Sequence, residues 1–407
     1  MTRTTDLLSA EAIADPHSLF ARLRDEAPVV WLPEHRAWLF TTYDAVSEGF
    51  RDGRLSSDRL SPLEARLDGE RRSTLAQTFE LLRGWMVFHD PPEHARLREP
   101  LRRAFTPRRV TVLRPRIAEI IDELLDEMAA KESCDLISEF AFPLPAIVIA
   151  ELLGVPASDR EEFKHWSDLL AAIVFGGSNR PDQAEQAATG SAEFADYFGW
   201  LIRKYEAEPA DNLVSDLIAV TSDDHGGSGL SPAELVGACT LLLFGGHETT
   251  TNLIGNSVHS LLSHPDQHTL LHSSLDLVPQ ALEELHRYDG STKLMVRIVA
   301  EDHERDGVEL RAGQTVFLGV TSANRDSAAF ADADRLWLDR PDAQQHLGFG
   351  YGIHFCLGAS LARVEAQEAL QALISRFPQM ELGSDEVTWT GNLLSRGLEA
   401  LPVLVKP

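Results

Sequence analysis

The chain has 407 residues, and its 37 Lys and Arg stand against 63 Asp and Glu, a formal charge of −26 that favours solubility and argues against general nucleic-acid binding. Three widely spaced cysteines give no disulfide framework and suit a reducing cytoplasm. The first ten residues, Met1 to Ala10, hold no apolar core long enough for a signal peptide, and no run of about twenty apolar residues is present to anchor a membrane.

Strand-like runs are predicted at Val29 to Leu32, Ala37 to Thr41, Val296 to Val299, Thr315 to Gly319 and Leu401 to Val405, scattered from one end of the chain to the other. One small sheet assembled from them cannot be cut out as a contiguous piece. A single domain over residues 1–407 is therefore expected, although length alone would allow two or three of about 150 residues. Helices dominate the rest. Ile117, Ile120, Ile121, Leu124, Leu125 and Met128 follow helical spacing, in a helix expected to open at Pro115. Loops are marked by Phe175-Gly176-Gly177-Ser178 and by the glycines between Ser222 and Ser231. Ser231-Pro232-Ala233-Glu234 is a capping box with proline at the first helical position, and the helix it opens is expected to run to about His264, where Pro265 stops it.

The middle of that helix reads Leu241-Leu242-Leu243-Phe244-Gly245-Gly246-His247-Glu248-Thr249-Thr250-Thr251. Two glycines inside a helix cost about 1 kcal/mol each relative to alanine, and an acid in an apolar helix core is unfavourable unless paired or wet. Features that oppose stability at a helix centre mark a functional site. A zinc-protease H-E-x-x-H is excluded, because position 251 is threonine. Leu241, Phe244, Gly245 and Glu248 fall on about one face of the helix, so Phe244 shares the face of the functional segment, and its truncation is expected to cost little stability. Further on, Glu284 and Arg287 of Glu283-Glu284-Leu285-His286-Arg287 are i, i+3 neighbours that can pair.

The run Phe349-Gly350-Tyr351-Gly352-Ile353-His354-Phe355-Cys356-Leu357-Gly358 precedes a long helical pattern, Ala359 to Phe377. It puts one cysteine at a helix N-terminus. Unpaired backbone N–H groups and the positive end of the helix dipole favour thiolate there, the form that ligates a metal. The alternating glycines do not complete a dinucleotide-binding G-x-G-x-x-G, since position 353 is isoleucine. Cys134 and Cys239 are expected to be small buried apolar residues.

The spacing F-G-x-G-x-H-x-C-x-G closely resembles the haem-binding loop of the cytochrome P-450 family. Gly245-Gly246-His247-Glu248-Thr249 looks like that family's oxygen-binding [A/G]-G-x-[D/E]-T segment, and Glu284-Leu285-His286-Arg287 its E-x-x-R helix. Asp90-Pro91-Pro92-Glu93-His94-Ala95-Arg96-Leu97-Arg98 is similar to its D-P-P-E-H-x-x-x-R helix start.

The resemblance implies a mainly α fold, an α-rich prism with a small β-rich subdomain, and haem b (iron protoporphyrin IX) as cofactor. It makes Cys356 the axial ligand, with Phe349, Gly350, Gly358 and Gly245 against the haem. His94, Arg98, Arg297 and His354 match the donors that hold the propionates; arginine suits this because its planar fork binds carboxylate bidentately. Glu248 and Thr249 would manage proton delivery. Trp85, Val87, Leu294, Met295, Leu393 and Leu394 would complete, with Leu241 and Phe244, an apolar substrate pocket. Glu284 and Arg287 would lock the core with a third residue from Ala333-Asp334-Arg335-Leu336, where the family has P-[D/E]-R-F. Arg335 is the expected partner and Arg340 the alternative.

The activity so implied is insertion of one atom of O2 into a hydrophobic small molecule, by hydroxylation or epoxidation, in a cytoplasmic monomer. A thiolate ligand favours O–O cleavage. No flavin or iron–sulfur module is recognised in the chain. Electrons are expected from an acidic ferredoxin served by an NAD(P)H-dependent ferredoxin reductase. Eight arginines between Arg96 and Arg116, with Glu99 the one acid among them, suggest where the ferredoxin docks. A non-catalytic haem carrier and a peroxide-driven relative are the competing classes.

Overall fold

Val29–Leu32 and Ala37–Phe40 form an antiparallel hairpin with Val29 opposite Phe40 and Trp31 opposite Trp38. Ala37–Phe40 also pairs in parallel with Thr315–Leu318, and that strand runs antiparallel to Met295–Val299. Leu55 lies at the far edge of this five-stranded sheet. The four longer strands match the predicted ones to within a residue at each end. The fifth does not join them: Pro402–Leu404 pairs with Ser133–Asp135 and Glu381–Leu382, with Val403 opposite Cys134. Strand content is legible locally, whereas a pairing partner can lie far along the chain, as Cys134 does from Val403.

The computed structural model describes residues 5–174, 181–222, 229–384 and 386–405. The predicted loop Phe175 to Ser178, and most of the one between Ser222 and Ser231, lie outside them. The chain packs as two compact units, each assembled from separate stretches: Met1–Leu55, Val110–Pro145 and Glu248–Pro407 in the first, Ser56–Arg109 and Ala146–His247 in the second. Among the described residues no helix is long and apolar enough to cross a membrane.

In the first unit, Val29, Phe40, Val46, Phe50, Val299, Leu318, Val320 and Leu347 form one buried apolar cluster on the five-stranded sheet. Leu347 stands two residues before Phe349, so this core anchors the entry to the cysteine loop. The helix expected to open at Pro115 begins instead at Pro107 and runs to Ala129, with Pro115 inside it. A proline there forfeits one backbone hydrogen bond, while the apolar stripe continues on its other side through Val110, 3% exposed.

The second unit is helical. Phe79, Phe194 and Phe198 are buried in it, and the Ser191 hydroxyl donates to Thr78 Oγ1 at 2.9 Å. The capping box at Ser231 forms as predicted: Glu234 N donates to Ser231 Oγ at 3.3 Å and Ser231 N to Glu234 Oε2 at 2.7 Å. The helix spans Pro232–Leu262. Near its start Gly237 meets Gly84 backbone to backbone; a Cβ on Gly237 would stand 2.6 Å from Gly84 Cα. That close approach brings Trp85 onto the helix, where its Nε1 donates to Thr240 Oγ1 at 2.9 Å.

Candidate active site

The cysteine loop is a tight backbone structure. Gly350 and Gly352 both adopt φ of 71°, a left-handed conformation that side chains with a Cβ resist. Gly350 N donates to Leu347 O at 2.9 Å, and Cys356 N donates to Phe349 O at 2.9 Å, closing the loop on itself. Helix Ala359–Arg376 follows with Gly358 as its N-cap. A Cβ at Gly358 would come 3.9 Å from Cys356 Sγ. Cys356 is exposed, whereas Cys134 and Cys239 are buried. Burial pushes those two thiols up to about 11 and about 12, so neither is a ready thiolate.

Glu284 and Arg287 pair with both side chains fully buried, Arg287 Nε donating to Glu284 Oε2 at 2.6 Å and Nη2 to Oε1 at 2.8 Å. Arg287 Nη1 donates to the carbonyls of Asn324 and Ala333, both at 2.8 Å. The third partner corrects the expectation: Arg340 Nε stands 3.0 Å from Glu284 Oε2, again fully buried. Arg335 is exposed, and contributes its carbonyl, which accepts from Arg287 and Arg340. A buried carboxylate needs its cations equally buried, and the turn between 335 and 340 delivers the later arginine inward.

In the same unit Glu248 and Thr249 are half-buried, and Ser395 Oγ approaches Glu248 Oε1 at 3.4 Å. Arg297, 8% exposed, lies on strand Met295–Val299 with its guanidinium 5.7 Å from the Phe50 ring centre, and His354 is half-buried in the cysteine loop. Leu294 and Leu394 are joined by a backbone hydrogen bond of 3.1 Å and are both buried, with Met295 and Leu393 partly so. The structure thus brings the segments of two predicted lining pairs together.

In the second unit His94 is buried and Arg98 half-buried on helix Glu93–Ala104. Trp85 and Phe244 are in ring contact at 5.0 Å, Leu241 is buried, and Val87 is 38% exposed. Phe244 is only 5% exposed, so its truncation would open a cavity and the expected indifference of stability is withdrawn. Gly245 is exposed, and a Cβ placed on it would meet nothing within 4 Å.

Five of the eight arginines are paired, three of them with acids distant in the chain. Arg96 bonds Glu93 and Glu234, Arg109 bonds Asp211 and Asp216, and Arg114 lies 3.3 Å from Glu368. Arg102 pairs with Glu99, and Arg116 with Glu119 and Glu123. Arg103 and Arg108 are exposed.

Comparison with known proteins decides the family. The cytochrome P-450 family model matches residues 185–387. The vitamin D(3) 25-hydroxylase of Pseudonocardia autotrophica is 41% identical over 411 residues, covering 100% of this chain and 98% of that protein. The chain belongs to the cytochrome P-450 family. A second relative, the 6-deoxyerythronolide B hydroxylase of Saccharopolyspora erythraea, is 38% identical over 411 residues, 99% of each chain. Among solved structures, P450BioI in complex with hexadec-9Z-enoic acid ligated acyl carrier protein superposes with a TM-score of 0.89 at 33% identity, covering 98% of this chain and 100% of that one. The protein is therefore an oxidoreductase of the cytochrome P-450 family, with hydroxylase relatives along its whole length, and the family works with a haem-thiolate cofactor, redox partners and a hydrophobic substrate.

The residues present fit such a cofactor. In the first unit Cys356 offers an exposed sulfur, and the loop glycines keep the backbone bare beside it. Sequence reasoning missed Ser395 as the neighbour of Glu248, and it missed Arg363 and His346, whose side chains meet Glu283 at 2.6 and 3.1 Å. The doubled acid at 283 and 284 was the one local hint, because two adjacent helical carboxylates need two separate sets of partners.

Proposed function

We propose that this cytochrome P-450 binds haem b through the Cys356 thiolate and inserts one atom of O2 into an apolar organic substrate, by hydroxylation or epoxidation. The other atom leaves as water, with two electrons and two protons consumed. Bound haem supplies the redox centre for O2 activation; the chain supplies what surrounds it. His94, Arg98, Arg297 and His354 would hold its carboxylates, and Phe349, Gly350, Gly358 and Gly245 would lie against it. Glu248 and Thr249 would pass protons inward. Trp85, Val87, Leu241, Phe244, Leu294, Met295, Leu393 and Leu394 form a mostly apolar set that suits a substrate held by area burial with few polar contacts.

The observation that carries this reading is the exposed Cys356 in a glycine-turned loop at a helix start, whereas the other two cysteines are buried. The reduced protein with CO is expected to show the strongly red-shifted Soret band of thiolate-ligated haem. Cys356→His should abolish it, and Cys134→Ser and Cys239→Ser should keep it. Loss of the band in either serine variant, with Cys356→His unaffected, overturns the assignment.

Electrons are assigned to an acidic ferredoxin and its NAD(P)H-dependent reductase, in a monomeric cytoplasmic protein forming one functional haem domain. Exposed Arg103 and Arg108 suit such a partner better than Arg102 and Arg109, whose charges are already paired. Arg103→Glu with Arg108→Glu should slow ferredoxin reduction and leave dithionite reduction unchanged; rates independent of salt would count against the patch. Turnover with NADH and partners, compared with turnover on peroxide, separates this reading from a peroxide-driven enzyme and from a haem carrier.

A further inference from the structure

Phe349 is gripped on two sides by side chains that the proposed oxygen chemistry does not use. The Arg363 guanidinium lies 4.4 Å from its ring centre, and the His286 ring meets it edge-on at 4.5 Å and 83°. Arg363 is held in turn by Glu283, with Nε donating to Oε1 at 2.6 Å and Nη2 donating to Oε2 at 2.9 Å. His346 completes the group. Its Nδ1 accepts from Gly348 N at 3.0 Å, which leaves Nε2 protonated and donating to Glu283 Oε2 at 3.1 Å.

Glu283, His286 and His346 are all buried. The His286 and His346 rings stand 4.5 Å apart, and a Cβ on Gly348 would come within 2.5 Å of His286 Nε2, so the loop backbone rests on that ring. Burial pushes the Glu283 carboxyl up, but the bonds from Arg363 and His346 outweigh it and hold the group at about 2. Burial keeps His286 well below the usual histidine range, so it packs as a neutral ring. The grip reaches the cysteine through one bond, because Phe349 O accepts from Cys356 N at 2.9 Å.

We propose that Glu283 is a positioning residue which, through Arg363, His346 and His286, fixes Phe349 and with it the surroundings of the Cys356 sulfur, and so sets how readily the bound haem is reduced. The proposal rests on the reading of Cys356 as the thiolate ligand. Outer partners of a metal ligand tune its donor strength and its shielding from solvent. Reduction adds negative charge at the centre. A guanidinium nearby therefore favours the reduced form and a carboxylate disfavours it, while the pair together is nearly neutral.

The test is a spectroelectrochemical titration of the haem-loaded protein, with the iron–sulfur stretching band read by resonance Raman. Glu283→Gln leaves the Arg363 charge unopposed and should raise the ferrous-to-ferric ratio at a fixed applied potential by about threefold or more. Arg363→Gln should lower it by a similar factor, Arg363→Lys should restore most of it, and the Raman band should move in both glutamine variants. Shifts in the same direction, or parent-like values and bands in both, overturn the proposal. If Glu283→Gln fails to load haem, the Arg363→Gln and Arg363→Lys pair decides by the same readings. A parent protein with no iron–sulfur band at all would instead overturn the reading of Cys356.

Discussion

Ser395 Oγ lies 3.4 Å from Glu248 Oε1, tying the acid of the long helix to the turn that carries Leu393 and Leu394. That turn is fixed by Asn392, whose Oδ1 accepts from Leu394 N at 2.9 Å and from Ser395 N at 3.2 Å. The hydroxyl contact is long for an O–H···O bond, so it steers the carboxylate more than it binds it.

Ser395→Ala should lower product formed per NADH by about two- to five-fold, the scale of one modest hydrogen bond. Thr249→Ala should lower it further, with NADH consumption maintained and hydrogen peroxide released. Product and peroxide measured against NADH check both. Parent-like coupling in Thr249→Ala would move the proton-handling role to Thr250 or to water.

Breaking the buried network should expose the difference between Arg340 and Arg335. Arg340→Ala leaves the Glu284 carboxylate without one of its two buried cations and should cost about 3–5 kcal/mol. Arg335→Ala removes only an exposed side chain and should stay within about 0.5 kcal/mol. Denaturant midpoints of the two variants give the comparison, and equal losses would return Arg335 to the network.

Phe244 packs on Trp85 at 5.0 Å with 5% exposure, so Phe244→Ala should cost about 3 kcal/mol or more. If its ring also borders the substrate pocket, the same variant should admit bulkier ligands, seen as haem spectral shifts across a compound panel. An unchanged ligand profile with the full stability loss would confine Phe244 to the core.

Glu365 is 1% exposed, its Oε2 has no hydrogen-bond partner among the described residues, and burial raises its carboxyl well above the ordinary 4.5. The folded chain keeps this proton while the unfolded chain releases it above that value. Stability contributed by the site therefore falls as pH rises from the unfolded value toward the folded one. Glu365→Gln should remove the penalty, and its gain in melting temperature should grow from about pH 5 to about pH 8. A gain that is flat or shrinks with pH would mean that the carboxylate has an ionic partner.

The sequence alone determined what local physics controls. The glycine-turned cysteine loop, the capping box at Ser231 and the four long strands of the main sheet depend on neighbours within a few residues, and each reads directly from the chain. Tertiary structure alone decided which distant groups meet. Arg340 displaced Arg335 because only its side chain turns into the buried site of Glu284, and Pro402–Leu404 found Cys134's strand because hydrogen-bonding edges pair by folding, with no local mark. The arginines from Arg96 to Arg116 read as a cationic stripe until folding brought Glu234, Asp211, Asp216 and Glu368 against Arg96, Arg109 and Arg114. Charge in a sequence is additive along the chain, but its field is set in space, where partners a hundred or more residues away lie within bonding distance.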